Sequence, residues 1–92
     1  MQLTIRYETL LKRAAGVAVQ TFEVADPCDV REVVRQLAQH ASDSVRLMLV
    51  DGSGRLQPSL LLFVNDQQIV GDCPHTISEG DEVTLMTPIS GG

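Results

Sequence analysis

The sequence predicts an α+β domain of two layers, in which one main helix packs on one face of a sheet. Short apolar stretches with period-two alternation lie near both ends of the chain and in its second half, which is typical of strands. The clearest apolar pattern of period 3.6 lies at residues 30–41 and predicts an amphipathic helix. With 92 residues, the chain is long enough for one small domain, residues 1–92. Since one helix covers only one sheet face, we expect the other face to stay open.

The strands are predicted from alternation and from the turn residues that bound them. At residues 2–7, apolar Leu3, Ile5 and Tyr7 alternate with polar side chains, as in a strand with one buried face. The same criteria place further strands at residues 17–24, 60–64, 68–70 and 82–87.

The main helix is predicted from a start signal followed by an apolar stripe. Asp29, with Glu32 three residues later, has the form of a capping box. From Val30 onward, apolar residues recur at i+3, i+4, i+7, i+8 and i+11, so that one face of residues 30–41 can pack closely on a sheet. An alternative start has Asp26 as the N-cap residue, with a proline at the first helical position.

Alternation also predicts an apolar patch on the open sheet face. Along residues 60–64 it places Leu61 and Phe63 on that face, and Met86 of the last strand joins them. We expect these side chains to be substantially exposed and to bind a partner, with Arg6 of the first strand at the polar rim.

Two segments connect these elements without a clear pattern of their own. Residues 8–16 are expected to form a connection that Gly16 closes, and the apolar residues 45–50 remain unassigned. As an alternative to an open face, residues 45–56 could fold back over the patch and bury it.

The charge balance excludes some classes of partner. Seven basic residues against twelve acidic ones give a net charge of −5, which disfavours nucleic acid and suits a partner with a basic docking surface. No segment approaches the roughly 20 apolar residues that span a bilayer, and the N-terminus lacks the pattern of a signal peptide. We therefore expect no membrane association and a cytoplasmic location.

The usual patterns of metal and nucleotide sites are missing. Cys28, Cys73, His40 and His75 are far apart in sequence, whereas structural zinc ligands occur in closely spaced pairs. The glycine-containing turn at residues 51–54 lacks the lysine and the following helix of a phosphate-binding loop. We expect neither a metal nor a bound cofactor.

The chain ends on an unusual tail, Thr87-Pro88-Ile89-Ser90-Gly91-Gly92. Pro88 fixes φ and lacks an N–H, so the last strand is expected to end near it. Gly91 and Gly92 carry no side chains, so the backbone there can enter a narrow active site. We expect residues 87–92 to form a flexible arm whose carboxylate is modified inside another protein, although an unstructured end or a cloning remnant is an alternative.

These features together resemble the MoaD/ThiS sulfur carriers, which have the β-grasp fold of ubiquitin. The acidic turn before their last strand is similar to Glu79-Gly80-Asp81-Glu82-Val83, and their short hairpin is similar to Phe63-Val64-Asn65-Asp66. Their tail also ends in Gly-Gly, but Thr87 stands here at the first position of their usual proline pair. The resemblance implies a mixed sheet of four to five strands with one main helix on one face.

The resemblance also implies how the tail is used. An ATP-dependent adenylyltransferase of the ubiquitin-activating type would adenylate the carboxylate of Gly92, and a sulfur donor would convert it to a thiocarboxylate. The large subunit of a downstream synthase would then take the sulfur. Pro88, Ile89, Ser90 and Gly91 would be bound by these partners, and the chain would not be catalytic alone; ATP would be used only by the activating partner.

The resemblance leaves the pathway and one rival function open. The tail favours molybdopterin biosynthesis, residues 46–56 are similar to carriers for cysteine synthesis, and thiamine synthesis is a further possibility. The rival is a ubiquitin-like modifier that is joined to lysines through Gly92. A binding module with an incidental Gly-Gly is the third interpretation.

Overall fold

The computed structural model describes residues 1–71 and 74–88, which form one mixed sheet and three helices. In chain order the elements are β1 (Gln2–Tyr7), α1 (Thr9–Ala15), β2 (Val19–Glu23), α2 (Val30–His40), α3 (Asp43–Leu49), β3 (Leu61–Val64), β4 (Gln67–Gln68) and β5 (Glu82–Met86). The predicted α+β class is confirmed, and each predicted strand is present within about two residues of its expected bounds.

The first and last strands of the chain pair at the centre of the sheet. The strand order is β2-β1-β5-β3-β4, with β1 and β5 parallel and all other pairs antiparallel. In the parallel pair, Ile5 lies beside Val83 and Tyr7 beside Leu85. The chain therefore leaves the sheet from a central strand that has a neighbour on each side.

One hydrophobic core fills the space between the sheet and the helices. On the sheet, the inward residues predicted by alternation are buried: Leu3, Ile5, Tyr7, Leu62, Val64, Val83 and Leu85. On α2, the apolar stripe is buried as well: Val30, Val33, Val34, Leu37 and Ala38. All of them belong to one cluster, so the stripe packs toward the inward sheet face as expected.

The start of α2 is fixed by Asp29, and the alternative start at Asp26 is wrong. One carboxylate oxygen of Asp29 accepts a hydrogen bond from the backbone N–H of Arg31 at 2.9 Å. The other accepts from the backbone N–H of His75 at 2.7 Å, which ties the helix to the segment before β5. The capping box is only half formed, because the Glu32 carboxylate turns to its own helix face.

Residues 8–16, which were predicted to form a connection, contain helix α1. This helix is seven residues long and ends at Gly16, which has φ 78° and donates its N–H to the Lys12 carbonyl. Leu11 is fully buried on its inner face. The expectation of one helix was incomplete because two turns are too short to show a helical period.

The unassigned stretch contains α3, which Ser42 caps by accepting from the Val45 N–H at 3.4 Å. Val45 and Leu49 lie one turn apart and enter the same core, and α3 packs on α1 and α2. Since it lies on the helical side, the alternative that residues 45–56 bury the open sheet face is wrong.

The two motifs that carried the family resemblance are in contact. Asn65 turns the β3–β4 hairpin with φ 49°, and its side-chain amide donates to the Asp81 carboxylate at 2.9 Å. Its side-chain oxygen accepts from the Glu82 N–H at 2.9 Å, while Asp81 also accepts from the Ser78 N–H. The hairpin turn and the acidic turn therefore fix each other at the start of β5.

Candidate functional site

The last strand ends near Pro88, as the sequence predicts, and the tail begins there. Strand β5 ends at Met86, Thr87 is buried and Pro88 is exposed. The predicted site residues Ile89, Ser90, Gly91 and Gly92 lie outside the described residues. We call Thr87 and Pro88 the tail root.

The tail root is held by Thr9, the first residue of α1. Its hydroxyl lies 2.8 Å from the Glu8 carbonyl oxygen and 3.0 Å from the Thr87 carbonyl oxygen, so that one proton is shared between them. Thr9 has φ 53°, a conformation that β-branched residues rarely adopt. The Glu8 N–H also donates to the Leu85 carbonyl at 3.0 Å. The start of α1 is therefore attached to the last residues of the strand that leads to the tail.

The open sheet face brings together the other predicted partner-binding residues. Leu61 lies directly opposite Met86, and Phe63 lies opposite Thr84, which is in turn beside Arg6. These pairings place the four predicted side chains Leu61, Phe63, Met86 and Arg6 on one face.

The expectation that this apolar patch is substantially exposed is wrong. Leu61, Phe63 and Met86 are only half-buried, because side chains in register on neighbouring strands shield one another. Arg6 forms an ion pair with Glu82 at 3.2 Å beside a shallow depression of about 260 Å³. The patch is thus a continuous surface with a charged border, and its use in partner binding stays a prediction.

A second apolar surface lies at the tail root and was not predicted. Leu10, Val17 and Val19 are each more than two-fifths exposed at the junction of α1 and β2. Leu10 and Val17 line a groove of about 660 Å³, together with Thr9, Lys12, Arg13, Gly16 and Ala18. We call this surface the α1–β2 corner. Its sequence signal was weak, because residues 8–16 were expected to form a connection.

Among the described residues, the side-chain hydrogen bond that holds the tail root is made by Thr9, and neither Cys28 nor His40 takes part in it. Cys28 is buried, and burial raises the pKa of its thiol, with smaller contributions in the same direction from the charges of Glu32 and Asp29. The ring of His40 lies 6.2 Å from that of Phe22. Cys73 lies outside the described residues.

Within residues 1–71 and 74–88, no three histidine, cysteine or acidic side chains are close enough together to hold a metal ion. No helix in those ranges is long and apolar enough to cross a membrane.

The fold defines the class: the mixed sheet with helices on one face is the β-grasp of ubiquitin-like proteins. Solved structures with the same fold include SAMP1 from Haloferax volcanii, with a TM-score of 0.85, 18% identity and coverage of 100% of both chains. Another is Urm1 from Trypanosoma brucei, with a TM-score of 0.76, 22% identity and coverage of 99% of this chain and 95% of that one. Both comparisons confirm the predicted β-grasp fold.

Sequence comparison then gives the family. The model of the ThiS family matches residues 5–92, so the chain belongs to this family of MoaD/ThiS proteins. A relative described as the molybdopterin synthase sulfur carrier subunit of Chlamydomonas reinhardtii is 28% identical over 94 residues and is covered fully, as is this chain. The resemblance stated from the acidic turn, the hairpin and the tail is confirmed.

Proposed function

We propose that this protein is a sulfur carrier in which the carboxylate of Gly92 is adenylated and then converted to a thiocarboxylate. The observation that carries the proposal is the match to the ThiS family, which extends through the tail to residue 92. The name of the 28% identical relative, a sulfur carrier subunit, supports the same role.

Adenylation makes the terminal carboxylate reactive. A carboxylate oxygen of Gly92 attacks the α-phosphorus of ATP and releases pyrophosphate, which leaves an acyl adenylate with AMP as a good leaving group. A sulfide-level sulfur donor then forms the C–S bond as the C–O bond to AMP breaks. At the synthase, the thiocarboxylate sulfur bonds to the substrate, and water then cleaves the acyl C–S bond, so that the sulfur stays on the substrate and the carboxylate of Gly92 is regenerated.

The geometry of the tail root supports chemistry carried out by partners. Thr87 is the last buried residue of the described chain, and Pro88 already lies at the surface. The described core therefore ends before Pro88, and in this proposal the residues beyond it would enter the active sites of partners. Gly91 has no side chain to obstruct a narrow active site. The ATP site and the catalytic groups would belong to an adenylyltransferase of the ubiquitin-activating type, and the carrier itself would bind no cofactor.

Two surfaces would bind partners in this proposal. The tail residues Pro88, Ile89 and Ser90 would be read inside the active sites. The half-buried patch of Leu61 and Phe63, with Met86 and Arg6, would contact the outer surface of the adenylyltransferase and of the synthase large subunit. Apolar side chains with a charged border are typical of protein interfaces.

Molybdopterin biosynthesis is the pathway we favour. The supporting observation is that the relative matched over its full length is named for molybdopterin synthase. Carriers for cysteine or thiamine synthesis share the terminal chemistry and differ in the enzyme that accepts the sulfur.

Deletion of Gly92 tests the terminal chemistry directly. We expect the shortened chain to lose ATP–pyrophosphate exchange with the adenylyltransferase of its native host, because the reacting carboxylate has moved. Its thermal unfolding is expected to be unchanged, since the described core ends at Thr87. A matched control carries one alanine after Gly92 and is expected to be equally inactive. A shortened chain that still supports exchange would contradict the proposal.

A ubiquitin-like modifier is the second candidate, and one observation favours it. The neighbour with the TM-score of 0.85 is SAMP1, a small archaeal modifier protein, although identity at that level shows only the fold. The modifier would use the same adenylate, but a lysine amine would attack it. Conjugates that resist boiling in detergent and disappear when Gly92 is deleted would support this candidate.

A further inference from the structure

The α1–β2 corner combines apolar exposure with positive charge. Leu10, Val17 and Val19 are three of the five large apolar residues that are exposed in the described part of the chain. They lie within ten positions of one another, and Leu10 and Val17 line one groove. Clustered exposed apolar side chains on a small domain are typical of a binding surface, whereas isolated ones are not.

Two positively charged side chains line this groove, although the chain as a whole is acidic. Lys12 and Arg13 line the groove in the last turn of α1, whereas the protein has a net charge of −5. None of the four ion pairs among the described residues involves either of them. Their position at a helix C-terminus favours positive charge, but it does not account for the uncovered apolar side chains beside them.

The corner is continuous with the tail root. Thr9 lines the groove, and its hydroxyl lies 3.0 Å from the Thr87 carbonyl oxygen. At the other end, Val19 lies beside Arg6 on the open sheet face. An enzyme that encloses the chain beyond Pro88 must cover the surface around the tail root, so the corner lies within reach of any such enzyme.

We propose that the α1–β2 corner docks an acidic surface of the enzyme that adenylates the tail. This inference rests on the function proposed above. It adds which surface of the carrier contacts the adenylating enzyme and which charge that enzyme presents there. Leu10 and Val17 would lose water on docking, while Lys12 and Arg13 would orient the complex and select an acidic partner over a basic one. The partner's surface would thus be acidic, whereas the net charge of the chain predicts a basic one.

Charge reversal at the corner tests this inference. In ATP–pyrophosphate exchange with the adenylyltransferase of the native host, we expect Lys12→Glu and Arg13→Glu each to raise the KM for this chain about tenfold. The kcat is expected to change little, because docking precedes chemistry. In about 0.5 M salt, most of the difference from wild type is expected to vanish through screening.

Two control variants match these changes elsewhere on the surface. Arg55→Glu makes the same charge change in the exposed loop before β3, and it is expected to shift KM less than about twofold. For the apolar part, Leu10→Ser is expected to raise KM, whereas Leu47→Ser is not, although Leu47 is more exposed. Thermal unfolding of each variant shows that it is folded, and Arg13→Gln provides a milder test if Arg13→Glu is not.

The outcomes separate this inference from the proposed function. A wild-type chain that does not support exchange would contradict both. If wild type is active and Arg13→Glu behaves like Arg55→Glu, the docking role of the α1–β2 corner is contradicted, while the proposed function stands. A lower KM for Lys12→Glu and Arg13→Glu would contradict that docking role as well, since it would show that the corner meets a basic surface.

Discussion

Asn65 shows how a single residue joins two motifs that are distant in sequence. Its backbone has φ 49°, which asparagine adopts more readily than most residues. Its side-chain amide donates to Asp81 and its side-chain oxygen accepts from the Glu82 N–H, each at 2.9 Å. The short hairpin and the acidic turn therefore form one hydrogen-bonded unit beside β5.

We predict that Asn65→Ala lowers the free energy of unfolding by about 2 kcal/mol, because it removes both hydrogen bonds and strains the turn. Asn65→Gly is the matched control, since glycine adopts positive φ readily and loses only the hydrogen bonds. It is expected to retain about 1 kcal/mol more stability than the alanine variant in urea denaturation. Equal losses would show that the backbone conformation of Asn65 contributes nothing.

Cys28 is buried in the core although it lies outside the helices and strands. It precedes α2, and its Sγ lies 3.5 Å from the Asp29 carbonyl oxygen. Because burial raises the pKa of its thiol, the folded state favours the protonated form. That contribution to stability is complete below the ordinary thiol pKa and is lost as pH rises through the folded-state value.

We predict that Cys28 reacts slowly with a maleimide at pH 7.5 in the folded protein. In a Cys73→Ser background, its labelling is expected to be at least about tenfold slower than in denaturant, because the thiolate is scarce and the sulfur is covered. Cys28→Ser is expected to accept and deliver sulfur like wild type. Labelling at the same rate in both states, or loss of sulfur transfer, would show that this cysteine has a chemical role.

At the scale of elements, the four residues of β3 alternate between the buried core and the open sheet face. Val64 points into the core and is 3% exposed, whereas Phe63 lies on the open face beside Thr84 and is half-buried. Alternation predicted which side each residue faces. It could not predict how far the patch is shielded, since that depends on the side chains that register places opposite one another.

We therefore predict that Phe63→Asp and Val64→Asp have different consequences. Val64→Asp buries a charge without a partner and is expected to unfold the protein at moderate temperature. Phe63→Asp is expected to lower the melting temperature only modestly and to weaken binding to the adenylyltransferase by about 2 kcal/mol or more, as for a central interface residue. If the two variants unfold alike, the open face is part of the core and docking occurs elsewhere.

The helices show where sequence patterns were sufficient and where they were not. Helix α2 was predicted because its stripe extends over three turns and Asp29 marks its start. Helices α1 and α3 have only seven residues each, so their few buried side chains, such as Leu11 and Leu49, could not show a period. These short helices derive their stability from tertiary packing, and sequence patterns do not display it.

At the scale of the whole molecule, the chain places its tail at the end of a central strand. Strand β5 lies between β1 and β3, and Thr9 attaches α1 to the tail root. The tail, the acidic turn and the hairpin were visible in sequence because each depends on local residue types. The α1–β2 corner was not, since it forms only when α1 and the start of β2 fold beside the tail root.

The most direct test of the central claim is the intact mass of this protein isolated from its native host. We predict a species heavier than the unmodified chain by the difference between one sulfur and one oxygen atom. Fragmentation is expected to place that difference at Gly92, and alkylation is expected to trap it as a thioester. A preparation that contains only the unmodified chain and lysine conjugates, with no sulfur-containing terminus, would contradict the sulfur carrier.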